Sequence, residues 1–224
     1  MTFLKVTCYL ESPVVFDLPI MLDGLLEYRS CHVNKIGGGA LSRHDPAPIY
    51  GEIPLPIKRE NFGEYLIPKC SYPIYQADYE WHEHYCRRFP TDRVDLFDQS
   101  QLTKINTTGG EFKSYRLPAR ARLINKIVWF CEGTRKPLLK LVKGVPSLGK
   151  KRSMGYGKIT RWEAERVDKD YSWYCDREGQ LLLMRPLPKS DDLPETLTGY
   201  RDDYGAVQSP YWHPDRQIER IVPC

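Results

Sequence analysis

The chain has 224 residues and a formal net charge of +4, and a composition of 41% hydrophobic and 12% aromatic residues is typical of a globular protein with a buried core. No stretch reaches the roughly 20 apolar residues of a membrane-spanning helix, and the opening MTFLKVTCYL predicts no signal peptide. The seven cysteines include no CxxC pair, so the sequence predicts free thiols in a reducing compartment. We therefore expect a cytoplasmic protein without a membrane association.

The positive charge is concentrated in one part of the chain. Residues 104–161 contain 15 Lys and Arg residues against two acidic ones, which gives this segment a net charge of +13, whereas the remainder carries −9. A solvated surface normally mixes both signs, so a segment dominated by one sign favours a polyanionic partner. The segment predicts a nucleic-acid-binding protein, with binding to an acidic protein as the alternative.

Two elements are predicted ahead of residue 37. Residues 3–10 are rich in β-branched and aromatic residues and predict a strand. Five apolar residues then repeat at the spacing of one helix face: Leu18, Met21, Leu22, Leu25 and Leu26. Asp17 is the predicted N-cap of this helix. On the same periodicity Asp23 and Glu27 face solvent.

The middle of the chain is irregular and proline-rich. Residues 37–120 predict a long insertion that contains only a weak strand at 65–75. Order returns at residues 122–131, which predict one strand. A short helix follows, with Thr134 as its N-cap and Gly144 at its end.

The last third of the chain is predicted to be β-rich. The sequence GKITRWEAERV, residues 157–167, predicts a strand. Residues 171–176 and 180–188 predict a hairpin around the turn at 177–179. The tail after it is acidic and interrupted by prolines.

The order of these elements predicts an α+β fold. Strand, helix, insertion with a weak strand, strand, helix and strand follow the βαββαβ order of a ferredoxin-like (RRM-like) domain. We assign residues 1–168 to this domain, with the insertion at about 37–120. Residues 169–224 form a smaller C-terminal β-rich segment.

A glycine-rich loop joins the second predicted helix to the following strand. It reads GVPSLGKKRSMGYGKI, residues 144–159. Glycines let a backbone approach another polymer closely, and consecutive exposed amides form concavities that bind anions. Lys150, Lys151 and Arg152 suit phosphate groups, and Tyr156 between two glycines suits a nucleobase. The loop therefore predicts a contact with a nucleic-acid backbone.

Residues 144–150 also spell the G-x-x-x-x-G-K pattern of a nucleotide-binding P-loop. In a P-loop the next residue is Ser or Thr, which holds Mg²⁺, and the loop leads from a strand into a helix. Here Lys151 follows, and the predicted order is helix, loop, strand. The sequence therefore disfavours a nucleotide site.

Histidines and cysteines offer two other kinds of site. His82, His84 and Cys86 alternate and would share one face of a strand, but no fourth metal ligand stands at a recognisable spacing. We predict no metal and no cofactor. His32 or His44, together with the tyrosine and lysines of the loop, could supply acid–base chemistry for a ribonuclease. Nothing in the spacing sets them apart, so we predict no catalytic residue.

The loop, with its sequence GKKRSMGYGK between a second helix and a fourth strand, resembles the signature of the repeat-associated (RAMP) superfamily of CRISPR proteins. The segment VVFDLPIMLDGLLEY and the tail after GQLLLMRPLP are similar to the type IV (Csf) subunit that caps the crRNA 5′ handle. The resemblance implies a non-catalytic RNA-binding subunit of a prokaryotic effector complex. Such a subunit joins the backbone filament to the large subunit and meets target DNA through the complex. A metal-independent endoribonuclease that processes pre-crRNA is the alternative.

The predicted RNA contacts lie in the loop and on nearby cations. The resemblance implies the loop contacts Gly149, Lys150, Lys151, Arg152, Ser153, Gly155, Tyr156 and Gly157. To these we add the neighbouring cations Lys158, Arg116, Arg120 and Arg122. The resemblance also implies a thumb-like hairpin in the insertion, with its tip near residues 107–112.

Overall fold

The computed structural model describes residues 1–34, 53–89, 106–110 and 112–224. Within these ranges the protein is mixed α+β, with two α-helices, α1 (Leu22–Asn34) and α2 (Arg135–Val142), and many short strands. The predicted α+β class is therefore confirmed. Neither helix of the described ranges is long and apolar enough to cross a membrane.

The strands fall into two groups along the chain. The first group is β1 (Thr2–Leu10), β2 (Val14–Val15), β3 (Arg59–Phe62), β4 (Tyr65–Pro68), β5 (Tyr79–Arg87), β6 (Tyr115–Leu123), β7 (Lys126–Gly133) and β8 (Ile159–Arg166). The second group is β9 (Tyr174–Arg177), β10 (Gln180–Leu183), β11 (Leu187–Pro188), β12 (Leu197–Thr198), β13 (Tyr200–Gly205) and β14 (Ile218–Pro223).

A central sheet is built around β1, which pairs antiparallel with β7 on one side and with β8 on the other. Side chains from this sheet and both helices form one core, in which Val6, Trp129 and Leu26 are completely buried. Residues 69–75 run along the outer edge of β7 and bridge to it antiparallel. The weak strand predicted at 65–75 is thus divided between β4 and this irregular edge.

β5 and β6 form a long antiparallel ribbon, and we use "the ribbon" for these two strands. Its cross-strand pairs run from Tyr79 opposite Leu123 to Arg87 opposite Tyr115. At the Leu123 end β2 pairs with β6, which ties the ribbon to the segment that follows β1. The tip predicted at residues 107–112 shortly precedes Tyr115, which pairs with Arg87 at the far end of the ribbon. Residue 111 lies outside the described ranges.

The first helix differs from the prediction at its start. α1 begins at Leu22, whereas Leu18 precedes the helix and is 66% exposed. Asp17 is therefore not its N-cap, and the Asp17 carboxylate instead pairs with Lys150 of the loop. The apolar spacing that starts at Leu18 extends beyond the helix itself, because helical periodicity does not by itself fix a boundary.

The polar face predicted for α1 is also wrong. Asp23 and Glu27 are buried, with 0% and 5% of their surface exposed. Arg185 pairs with Asp23, and Arg59 donates to Glu27 Oε1 over 2.9 Å. Both arginines come from distant parts of the chain, so a local pattern could not place them against this face.

The strand predicted at residues 122–131 is two strands. β6 ends at Leu123 and β7 begins at Lys126, and the buried Ile124 lies in the turn between them. β6 belongs to the ribbon and β7 to the central sheet. The apolar run continues through this corner, so hydrophobicity alone does not reveal the break.

The last quarter of the chain forms small sheets around a second core. The predicted hairpin is confirmed as β9 and β10, and its turn residues Glu178 and Gly179 have φ values of 56° and 83°. Trp173 and Ile221 belong to the second core, and so does Phe62 of β3. The C-terminal part thus shares its core with the predicted insertion, and the boundary at residue 168 stays a prediction.

A buried ion pair fastens this C-terminal part to α1. The Arg185 and Asp23 side chains are both 0% exposed, with 3.1 Å between Nη2 and Oδ2. Burial by itself would raise the pKa of Asp23. The charge of Arg185 and hydrogen bonds from Arg185, Tyr211 and Cys70 outweigh that effect and lower this pKa. Asp23 is therefore ionised inside the core.

Candidate nucleic-acid interface

The glycine-rich loop leads from α2 into β8, as predicted. Its two ends are joined by backbone hydrogen bonds. Leu148 N donates to the Gly157 carbonyl over 2.8 Å, and Ile159 N donates to the Pro146 carbonyl over 3.0 Å. Because both ends are closed in this way, the residues between them project as a compact unit.

The loop is also anchored to the segment after β1. Gly157 N donates to the Pro13 carbonyl, and Lys150 N donates to the Val15 carbonyl, each over 2.7 Å. Since Val15 belongs to β2, which pairs with β6, the loop and the ribbon are attached to the same short strand. The loop therefore has a fixed position beside the ribbon.

Two glycines are required by this anchoring. Gly149 and Gly157 have φ values of 77° and 67°. A Cβ atom at Gly149 would lie 2.3 Å from the Val15 carbonyl oxygen, and one at Gly157 would lie 2.0 Å from that of Leu148. Gly155 has a φ of 88° but no atom within 4 Å of a Cβ position, so its need for glycine is conformational only.

The apex of the loop carries one exposed cation, Arg152, and one that lies against the ribbon, Lys151. Arg152–Met154 form one turn of 3₁₀ helix between Lys151 and Gly155, both in the left-handed region. Arg152 and Ser153 are exposed, whereas Lys151 places its Nζ atom 4.2 Å from the centroid of the Tyr85 ring. The apex therefore presents a guanidinium group and a hydroxyl group to solvent.

Lys150 and Lys158 flank the apex and pair with acidic residues near β1. Lys150 pairs with Asp17, and Lys158 pairs with Glu11, and all four side chains are exposed. Exposed ion pairs of this kind contribute little stability because water and salt screen them. Both lysines therefore stay accessible to a phosphate group.

Tyr156 is held against the ribbon. Its hydroxyl group donates to Glu83 Oε2 over 2.8 Å, and its ring meets the Tyr85 ring edge-on with centroids 6.2 Å apart. Tyr85 and Glu83, which lie beside the hydroxyl, raise the pKa of Tyr156, so the phenol remains a donor at neutral pH. The hydrogen bonds from Tyr156 and Trp81 lower the pKa of Glu83.

The sequence-based reasoning missed this contact between loop and ribbon. Trp81, Glu83 and Tyr85 occupy alternate positions in YEWHEHY, so the two-residue period of a strand was enough to place them on one face. The partner of that face, Tyr156, lies 73 residues from Glu83 in the chain. No local pattern identifies such a partner.

The arginines of β6 divide into two kinds. Arg116 and Arg120 are exposed, whereas Arg122 is 8% exposed. The Arg122 guanidinium donates to Glu80 Oε1 and to the Phe16 carbonyl, each over 2.8 Å, and lies 4.5 Å from the Phe16 ring centroid. Arg122 thus stabilises the base of the ribbon, whereas Arg116 and Arg120 are exposed on the ribbon face that carries the histidines.

The second face of the ribbon carries the histidines. His82 lies opposite Arg120, and Cys86 lies opposite Arg116, so His82, His84 and Cys86 share an exposed face, as their alternation predicts. In the part of the chain that the structure describes, no three His, Cys, Asp or Glu side chains are grouped so as to hold a metal ion. This face is opposite to the one that the loop contacts.

The two histidines weighed for catalysis are not brought to the loop by any described contact. His32 lies in the last turn of α1, where its ring stacks on Tyr28 with centroids 6.3 Å apart. His44 lies outside the described residues.

Comparison with known proteins identifies the class to which this arrangement belongs. Residues 77–223, which hold the ribbon, α2, the loop and the C-terminal sheets, match a family of CRISPR type IV associated proteins. That family is the CRISPR type IV associated protein Csf3, and because its model covers more than half of the chain, the chain belongs to it. The predicted resemblance to a type IV subunit is thereby confirmed. Among curated proteins no match to the chain is found.

Membership in this family makes the chain a subunit of a type IV CRISPR effector complex. Its partners are therefore the other components of such a complex.

Proposed function

We propose that the chain is a non-catalytic RNA-binding subunit that clasps the 5′ handle of the crRNA and joins the backbone filament to the large subunit. The observation that carries this proposal is the anchored loop with Lys150, Lys151 and Arg152 beside the ribbon. Cations held on a rigid backbone suit phosphate groups, because little conformational entropy is lost on binding. Arg116 and Arg120 add exposed cations on the other face of the ribbon, the face that carries the histidines.

We also propose a ferredoxin-like arrangement for residues 1–168. Its support is the strand order β8–β1–β7 with residues 69–75 at the outer edge of β7, and a helix after β1 and after β7. In this arrangement the glycine-rich loop enters an edge strand of the sheet. The ribbon takes the place of the thumb-like hairpin.

The test is the salt dependence of RNA binding. The affinity of the purified chain for a labelled repeat-derived RNA should fall with salt, with a log–log slope of about −0.7 for each phosphate neutralised. Replacing Lys150, Lys151 and Arg152 with alanine should flatten this slope by the equivalent of about two to three phosphates.

The matched control removes the same charge elsewhere. Lys126, Lys136 and Lys140 are exposed and lie outside the loop. Their triple alanine variant should keep a slope close to that of the unmodified chain. An unchanged slope in the loop variant, or an equal flattening in the control, would contradict the proposed role of the loop.

The same samples test the absence of catalysis. Repeat RNA incubated with the chain in EDTA should remain intact. A single discrete cut that disappears in the His32→Ala or His44→Ala variant would replace the binding function with the processing endoribonuclease.

A further inference from the structure

Two aromatic side chains on the ribbon are not among the RNA contacts predicted from the sequence. Tyr79 and Trp81 lie on the same face of β5 as Glu83 and Tyr85, because side chains alternate along a strand. Their rings stack with centroids 5.8 Å apart and planes at 25°. Tyr79 is 65% exposed, and Trp81 is partly exposed. The pair therefore offers ring surface to solvent rather than filling a core.

Trp81 is connected to the glycine-rich loop through one carboxylate. Its Nε1 atom donates to Glu83 Oε2 over 3.1 Å, and the Tyr156 hydroxyl donates to the same oxygen over 2.8 Å. The indole ring is thus held in one orientation and linked to the loop. A ring that is already fixed loses little conformational freedom when a ligand stacks on it.

We propose that Tyr79 and Trp81 form a stacking platform for unpaired bases of the RNA whose phosphates the loop binds. The proposal rests on the RNA-binding function above and adds the site that receives the bases. Every base has a π-face, so an aromatic pair beside a cationic groove binds single strands with little dependence on sequence.

The dimensions of the ribbon suit this division of roles. Lys151 of the loop contacts the Tyr85 ring. Trp81 precedes Tyr85 by four residues in β5, so the two residues are about 13 Å apart along the strand. At a rise of about 3.4 Å for each nucleotide of a stacked strand, about four nucleotides cover that distance. Phosphates at the loop and bases at the platform can therefore belong to one short segment of RNA.

This face combines ring surface with aliphatic and charged groups. Leu123 lies opposite Tyr79 and Leu117 lies opposite Tyr85, and both leucines are exposed. Glu83 and Lys151 supply the charges. The stacked pair of rings is the feature that favours RNA over an apolar protein segment, because a base stacks on such a surface. Tyr156, the base contact predicted from the sequence, has its hydroxyl and ring edge engaged by the ribbon. The outer face of Tyr79 is more accessible than that ring.

The first test separates stacking from charge. Tyr79→Leu should lower the affinity for single-stranded repeat RNA by about 5- to 100-fold at every salt concentration. The salt slope should stay unchanged, because no cation is removed. Tyr79→Phe keeps the aromatic ring and should keep the affinity. Tyr204→Leu is the matched control, because Tyr204 is 67% exposed on β13.

The second test changes the RNA instead of the protein. An abasic RNA of the same length should bind the unmodified chain at least as weakly as intact RNA binds Tyr79→Leu, and the variant should distinguish the two RNAs less than the unmodified chain does, since only Trp81 then remains of the platform. Equal binding of abasic and intact RNA by the unmodified chain, or an unchanged affinity in Tyr79→Leu, overturns the platform while the loop variant still flattens the salt slope. An unchanged slope in the loop variant contradicts the loop and the platform together. A Tyr79→Leu variant that loses complex subunits but keeps its RNA affinity overturns the platform in favour of a protein contact.

Discussion

The Tyr156 hydroxyl group donates a hydrogen bond to Glu83 over 2.8 Å, and this bond joins the loop to the ribbon. Lys151 adds a second contact between the same two elements through the Tyr85 ring. The cations of the loop and the exposed side chains of the ribbon consequently keep a fixed spacing. A ligand that touches both the loop and the ribbon therefore contacts one continuous surface.

Tyr156→Phe tests whether this spacing matters for binding. The variant keeps the ring but loses the bond to Glu83, so the loop is held less firmly, and the affinity for repeat RNA should fall by about 2- to 10-fold. Glu83→Leu, which removes the accepting carboxylate, should lose the same bond and weaken binding in the same way. The double variant should bind about as well as either single one, because both changes break one bond. Fully additive losses in a fluorescence titration would show that the two residues act separately.

The glycines of the loop should differ in their tolerance of alanine. Gly157→Ala places a Cβ atom against the Leu148 carbonyl and should lower the free energy of unfolding by about 3 kcal/mol. Gly155→Ala meets no neighbouring atom and should cost only the backbone strain of about 1–2 kcal/mol. Urea denaturation of both variants measures the difference. Equal losses would mean that the contact with Leu148 is relieved in the variant.

The stability of the protein should depend on having both members of the ion pair between Arg185 and Asp23, or neither. Arg185→Met leaves a buried carboxylate without its cation and should lower the free energy of unfolding by about 3–5 kcal/mol. Adding Asp23→Leu should recover much of that loss, because neither charge of this pair then remains in the core. Lys189→Met, which breaks an exposed pair with Asp202, is the control and should change stability by less than about 1 kcal/mol. A double variant as unstable as Arg185→Met would contradict this account.

Glu27 should make stability depend on pH in the mildly acidic range. Burial, followed by the negative charge of Asp23, raises the pKa of Glu27 to about 7, against the opposing effect of Arg59. The folded protein therefore binds the proton more tightly than the unfolded chain does. The stability from Glu27 is complete below its ordinary pKa of 4.5 and is lost as the pH rises through about 7.

The expected size of this effect is about 3 kcal/mol, since each pKa unit corresponds to about 1.4 kcal/mol. Denaturation of the unmodified chain and of Glu27→Gln across pH 4.5–8 measures it. All other ionisable residues are the same in both proteins, so the difference between the two curves isolates Glu27. A difference that does not change across this range would contradict the raised pKa.

The sequence was sufficient for elements whose signals are local. The strand at the N-terminus, the helix between Thr134 and Gly144 and the strand after the loop each carry their own periodicity, and each element is confirmed. The Thr134 side chain precedes the helix but makes no capping hydrogen bond. The start of α1 and the break at Ile124 were missed, because the apolar pattern runs past both boundaries. Asp23 and Glu27 were misplaced, because their partners are fixed only by tertiary structure.

The candidate site likewise has features that the sequence could predict and features that it could not. The position of the loop and its exposed cations followed from glycine spacing and charge. The engagement of Tyr156 by Glu83 and the burial of Arg122 depend on contacts between distant residues, so composition could not indicate them. The sequence could have indicated the Tyr79–Trp81 pair. The two-residue alternation that places the histidines on one face of β5 also places these two rings together on its other face.

The pairing of Asp23 with Arg185 also limits how early α1 can pack while the protein is being synthesised. The two residues are 162 positions apart, so α1 leaves the ribosome long before the cation that neutralises its buried carboxylate. Until Arg185 emerges, Asp23 is best solvated by water, and α1 cannot settle fully against the central sheet. The first core of the protein is therefore completed only after most of the chain has been translated.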